Sequence, residues 1–223
     1  PMARAMGHDM PSLTVDSDPN RGADIVARVQ DIDWKTLPIP QVITASPNCA
    51  EYTKLKDNPR YRGESPARDS KGNPLTPKAK AADEELELGL FQLIAYFKAL
   101  NPSLKIIIEN PVGHMERIFE NSPGWFTNEA HYCMYGTHFP NKPTHFFTNF
   151  PLSRPLHKCD RAPGHHPRHD SYTQNIPNPH KARIPPALCK LLVDEATGSL
   201  DQTSVDLWKQ LPTVCHLNGN PSS

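Results

Sequence analysis

The chain has 223 residues, with 24 Lys and Arg against 24 Asp and Glu, so its formal charge is zero. Hydrophobic residues make up 37% and charged residues 22%, which excludes a disordered polyelectrolyte and suits one domain of ordinary size. No apolar run approaches the ~20 residues needed to cross a bilayer, and zero net charge removes the globally basic footprint of many nucleic-acid binders.

Proline is abundant, at 25 residues, about twice its usual share. That predicts long irregular connections around a modest regular core. The start, Pro1-Met2-Ala3-Arg4, shows no charged-then-apolar leader, so it gives no targeting information. The five cysteines are odd in number and form no CxxC pair. A disulfide scaffold is therefore not expected, and a reducing intracellular compartment is.

In chain order, the first apolar run is Leu13-Thr14-Val15, closed by the turn cluster Asp16 to Asn20. The second is Gln41 to Ala45, closed by Ser46-Pro47-Asn48. The third is Lys105 to Ile108, closed by Glu109-Asn110-Pro111. Short β-branched runs of this kind are expected on both-face-buried strands of a parallel sheet. Between the second and third lies a helix signal from Thr76 to Leu100. Thr76 is its cap and Pro77 its first residue. Leu86, Leu90, Leu93, Ile94, Phe97 and Leu100 form one stripe, and Asn101-Pro102 ends it. Strand, helix and strand make a βαβ crossover in an open α/β sheet. Beyond Pro111, the segments His131–Tyr135 and His145–Asn149 read as further strands, Pro151 to Pro186 as irregular chain, and Ala187 to Ala196 as a short helix. The last residues, from Gly219, read as a frayed end.

Two stretches carry local positive charge. Lys54 to Lys80 has eight basic residues and three acids, and Lys142 to Arg183 has seven and two. They suit either solvated loops or two basic loops beside a phosphate-accepting cleft. Eight of the eleven histidines fall between His131 and His180. Cys159 with His165, His166 and His169 has spacings compatible with zinc. With no second cysteine pair to close a site, a polar loop is the stronger reading.

Cys49 and Glu109 each follow an expected strand end, the edge where open α/β sheets bind ligands. Together they suggest a nucleophile and an acid. Taken singly, Cys49 suits a small buried apolar residue and Glu109 a surface or capping residue.

Ser46-Pro47-Asn48-Cys49-Ala50-Glu51-Tyr52 and Ile107-Ile108-Glu109-Asn110-Pro111-Val112-Gly113 resemble the cysteine loop and the ENP/ENV motif of DNA cytosine-5 methyltransferases. The likeness is closer to divergent methylase-like proteins of phages and large viruses. Tyr132-Cys133-Met134-Tyr135-Gly136, followed by Lys142-Pro143-Thr144-His145-Phe146-Phe147-Thr148-Asn149, resembles a segment of that subgroup. Gly7-His8-Asp9 and Val15 to Pro19 are similar to the second strand of the methyltransferase sheet, and Asp31-Ile32 to the next cofactor-facing segment. The likeness spans roughly Met2 to Leu192.

The resemblance implies a Rossmann-like methyltransferase core over residues 1–150 and an irregular extension with a short helix, packed on that core, over residues 151–223. It implies S-adenosylmethionine as cofactor, held by Asp16, Asp18, Asp31, Ile32 and Pro47. The catalytic residues would be Cys49, Glu109 and Asn110. DNA is the implied partner, met by Lys54, Lys56, Arg60, Arg62, Lys142 and Thr144. Cys49 would add to cytosine carbon 6 while Glu109 binds ring nitrogen 3, in a base removed from its stack. The family's first strand and glycine-rich loop would precede Met2, so the resemblance is to a family member without them. Asn48 stands where the family has proline before the cysteine, and no target-recognition domain of convincing size follows. The alternative implied is an inactive methylase-fold subunit within a larger assembly. A weaker one is a methylase acting on RNA or nucleotides.

Overall fold

The structure is a computed structural model that describes residues 12–54, 66–136, 139–160 and 183–199. Four strands form a mixed sheet: β3 (Val42–Ala45), β4 (Lys105–Pro111), β5 (Phe126–His131) and β6 (Pro143–Thr148), in the order β3-β4-β6-β5. β3 and β4 are parallel, with Ala45 beside Ile108. β6 runs antiparallel to both β4 and β5, so the sheet is mixed, where both-face-buried parallel strands were expected.

Between β3 and β4 the chain forms α1 (Pro77–Glu85), one wide π turn (Leu86–Phe91) and α2 (Gln92–Leu100). The Thr76 hydroxyl accepts from the Ala79 N–H at 3.1 Å, as the cap signal requires. Leu86, Leu90, Leu93, Ile94 and Phe97 pack with Ile106, Ile108 and Phe147 on one face of the sheet. Leu100, expected in the same stripe, is 49% exposed instead, because it is the last residue of α2, where the helix ends at Asn101. Ile107 and Phe146 face the other side and pack with Tyr132, Leu188, Leu191 and Leu192. A short helix, α3 (Glu116–Phe119), follows β4, and Leu188 and the last two leucines lie on α4 (Pro186–Thr197), which covers that face.

Two strand expectations shift. Tyr132–Tyr135 is a buried 3-10 turn, and the strand lies just before it. β5 is an edge strand whose first residues face solvent, so its polar run Thr127-Asn128-Glu129 lacked the apolar signature, while the buried turn carried it. Near the start, β1 (Val15–Asp16) pairs in parallel with β2 (Ile25–Val26) in a separate two-stranded sheet. Asp16 and Asp18 therefore do not follow a strand of the main sheet. A second short 3-10 turn, Val29–Asp31, docks on the π turn, and Trp34 packs 6.2 Å from Tyr96 between ring centres.

Candidate functional site

Because β3 and β4 are parallel, their C-terminal ends share one rim, and the chain after each one builds the site. After β3, the Asn48 side chain accepts from the Ala50 N–H at 3.0 Å and the Tyr52 N–H bonds the Cys49 carbonyl at 3.0 Å. Asn48 thus shapes the cysteine turn through its own amide. The Asn110 Nδ2 donates to the Pro47 carbonyl at 3.4 Å and ties the loop to β4.

Further along, Thr53 bridges Gly113 and the His114 N–H donates to the Tyr52 carbonyl at 2.7 Å. Tyr52 is 1% exposed, and its hydroxyl donates to Asp83 at 2.8 Å. Arg68 closes the lock. It bonds both Asp83 oxygens at 2.6 and 3.0 Å, donates to the Glu51 carbonyl at 2.8 Å and lies 4.3 Å over the Tyr52 ring. Arg68 belongs to the basic stretch in sequence, yet it is a buried structural cation. Lys71, Lys78 and Lys80 from that stretch are exposed.

Glu109 lies within β4, opposite Phe146, and is buried. Tyr132 donates its hydroxyl to Glu109 Oε1 at 2.9 Å, and Lys142 Nζ lies 3.4 Å from the same oxygen. Burial foremost, and the Glu109 charge with it, push the Tyr132 hydroxyl well above its ordinary pKa. Asn110 points to the opposite face, is 1% exposed, and its Oδ1 has no partner among the described residues.

Cys49 is exposed as a residue, but protein crowds its sulfur. That desolvation pushes the thiol pKa up; the Lys142 ammonium opposes the shift and the Glu109 carboxylate adds to it. Cys49, Glu109 and Lys142 therefore lie within electrostatic reach of one another. At its resting state the sulfur is a thiol rather than a thiolate at neutral pH.

The remaining candidates fall elsewhere. Asp16 Oδ1 accepts from the Asp18 N–H at 2.8 Å, and Asp18 caps the turn Pro19–Arg21. Asp18 accepts from the Asn20 backbone and side chain at 2.9 Å each and pairs with Arg21 at 3.4 Å. The Asn20 backbone bond foremost holds its carboxyl below the ordinary value. Asp31 is exposed at the end of its 3-10 turn and Ile32 is half-buried. Pro47 is the expected cofactor residue found at the rim. Asp18 directs its carboxylate to its own turn, and β1 stands apart from the four-stranded sheet.

Lys54 is exposed. Thr144, expected to meet DNA, is 0% exposed instead and bonds the Lys142 carbonyl, because residue 144 pairs with Pro111 inside the sheet. Lys142 turns to Glu109 in place of a free approach to phosphate, with its side chain 15% exposed. Cys159 is buried, and its N–H donates to His131 Nδ1 at 3.0 Å. No group of three or more metal-ligating side chains gathers among the described residues. Gly7-His8-Asp9, Lys56, Arg60, Arg62, His165, His166 and His169 lie outside the described residues.

Tyr132, Arg68 and Gly113 escaped the sequence reading as site-building residues. Arg68 stands in the basic stretch, and Tyr132 and Gly113 stand only within the segments that carry the resemblance. Among the described residues no helix is long and apolar enough to cross a membrane. No family model, curated protein or solved structure matches the chain.

Proposed function

We propose that the rim performs covalent chemistry on cytosine, as in a DNA cytosine-5 methyltransferase on a Rossmann-like sheet. The observation that carries the reading is a thiol and a buried carboxylate at the ends of adjacent parallel strands, within electrostatic reach. Cytosine carbon 5 is a poor nucleophile until a group adds to carbon 6. The Cys49 sulfur, once deprotonated, forms the bond to carbon 6, and the ring electrons move toward nitrogen 3, where Glu109 holds the proton. Carbon 5 then takes an electrophile and loses its proton, and the carbon–sulfur bond breaks to return the thiolate. The resemblance makes S-adenosylmethionine the source of the methyl group.

The addition step is testable without any donor. Adding to carbon 6 and reversing in D2O exchanges the hydrogen at carbon 5 for deuterium, read by mass spectrometry of a cytosine oligonucleotide. Cys49→Ser is expected to abolish exchange and Glu109→Gln to slow it about a hundredfold. Exchange at the buffer rate in the wild type, or unchanged exchange in Cys49→Ser, refutes the reading.

Two observations favour a second reading, an inactive methylase-fold subunit of a larger assembly. Asp18 is occupied by its own turn and the Cys49 thiol is shifted toward its unreactive form. Absence of S-adenosylmethionine binding in calorimetry, together with absent exchange, supports it.

A further inference from the structure

Glu109 reaches the rim on a strand buried on both faces, so its carboxylate needs partners from the protein itself. Two arrive from different elements and land on the same oxygen. Tyr132, at the start of the 3-10 turn after β5, donates to Oε1 at 2.9 Å, and Lys142, just before β6, reaches Oε1 at 3.4 Å. Lys142 Nζ also sits 4.9 Å from the Tyr132 ring centre, an attraction that steadies an ammonium over an aromatic face. Among the described residues no donor reaches Oε2 of Glu109.

We propose that Lys142, seated on the Tyr132 ring, is the positioning residue of this site: it fixes Glu109 through Oε1, leaves Oε2 as the oxygen offered to a ligand, and sets the charge felt by Cys49. The proposal rests on the functional reading above only in treating Cys49 and Glu109 as one site. The groups that bear on these atoms come from several elements. Lys142 favours the Cys49 thiolate and Glu109 opposes it. Glu109 in turn faces Tyr132, Lys142 and, from α4, Cys189, whose thiol is pushed up to about 12 by burial foremost, with Glu109 adding. Lys142 thus acts on the thiol as a charge and on the carboxylate as a donor, from one place.

The test is the pH dependence of iodoacetamide alkylation at Cys49 in the full chain, followed on the Cys49 peptide by mass spectrometry. The thiolate is the reacting species, so the rate reads the local charge directly. Lys142→Met is expected to slow alkylation at neutral pH about threefold and to move its midpoint upward, while Lys142→Arg keeps the wild-type rate. Glu109→Gln is expected to speed it and move the midpoint downward. Tyr132→Phe keeps the aromatic seat and the wild-type profile, whereas Tyr132→Leu releases Lys142 and reproduces Lys142→Met. Cys133, Cys159 and Cys189 are buried and serve as internal monitors of folding. If Lys142→Met exposes them, the Glu109→Gln and Tyr132→Leu profiles decide. Equal rates in Lys142→Met and Lys142→Arg, or no acceleration in Glu109→Gln, overturn the proposal. A protein that shows these shifts without exchange at cytosine carbon 5 loses the methylase reading and keeps this one.

Discussion

Gly113→Ala should separate the two loops of the rim. Gly113 follows β4 and bridges Thr53, and the neighbouring His114 N–H bonds the Tyr52 carbonyl at 2.7 Å. A Cβ at position 113 would overlap the Tyr52 carbonyl oxygen and lie 3.2 Å from its carbon and 3.4 Å from Thr53 Cα. All three are backbone atoms, so no side chain can swing aside and the loops themselves must part. Overpacking of this kind costs about 1–3 kcal/mol, and a weakened His114–Tyr52 bond adds about 0.5–1.5 kcal/mol. Together they predict a loss of roughly 2–4 kcal/mol, or a fall in Tm of roughly 5–15 °C. Urea unfolding followed by tryptophan fluorescence measures the first. The second readout is chemical. Desolvation is the largest cause of the raised Cys49 thiol pKa, so parting the loops should hydrate the sulfur and speed its alkylation at neutral pH. An unchanged urea midpoint refutes the steric argument. A lowered midpoint with unchanged Cys49 alkylation refutes the claim that this contact is what crowds the thiol.

Two further perturbations follow from the same contacts. Arg68→Met removes the cation shared by Asp83, Glu51 and Tyr52. Breaking a buried pair costs about 3–5 kcal/mol, and because the Asp83 side chain is 34% exposed and can rehydrate, roughly 2–4 kcal/mol is expected; a loss below about 1 kcal/mol in urea unfolding would mean the network adds little. His145 is buried and its pKa is lowered from 6.5, by burial foremost, while burial also lowers His157. The unfolded chain then takes up protons near pH 6.5 that the folded chain resists, so stability is full above that pH and declines as pH falls from there toward the folded values. His145→Gln should flatten part of the decline in urea midpoint between pH 8 and pH 5.5, and an identical slope in wild type and variant would refute the assignment.

What the sequence reveals divides by range. The helix from Thr76 to Leu100 was legible because its cap, its first proline and its stripe are all local. The π turn inside it was not, since it forms where Gly89 meets Val29 and Gln30 from a distant turn. The rim was legible for a topological reason. Two parallel strands joined by a helix end on the same side, so the residues after Ala45 and the end of β4 had to be neighbours. The charges around them were not legible. Lys142 and Glu109 are 33 positions apart, and nothing in a basic residue's neighbourhood announces a buried carboxylate as its partner in place of a phosphate. Arg68 misleads in the same way, through an Asp83 that lies on α1. Tyr132 was hidden differently, by a buried turn whose apolar run imitates a strand.

The four described cysteines separate into two kinds, and the difference bears on what the rim is for. Cys133, Cys159 and Cys189 are buried and behave as small apolar residues. Cys49 is exposed, so packing does not account for its place. Three independent sets of contacts nonetheless converge on its loop: Asn110 on Pro47, the Gly113–His114 segment on Tyr52 and Thr53, and Arg68 with Asp83 on Glu51 and Tyr52. Surface loops ordinarily run without such ties and tolerate change. Nor is stability a sufficient reason, because a buried ion pair gains little over apolar residues of the same volume once desolvation is counted. What these contacts fix is position. They hold the cysteine loop at the rim of β3 and β4, with the thiol in electrostatic reach of a carboxylate and an ammonium, at the edge where open α/β sheets bind ligands.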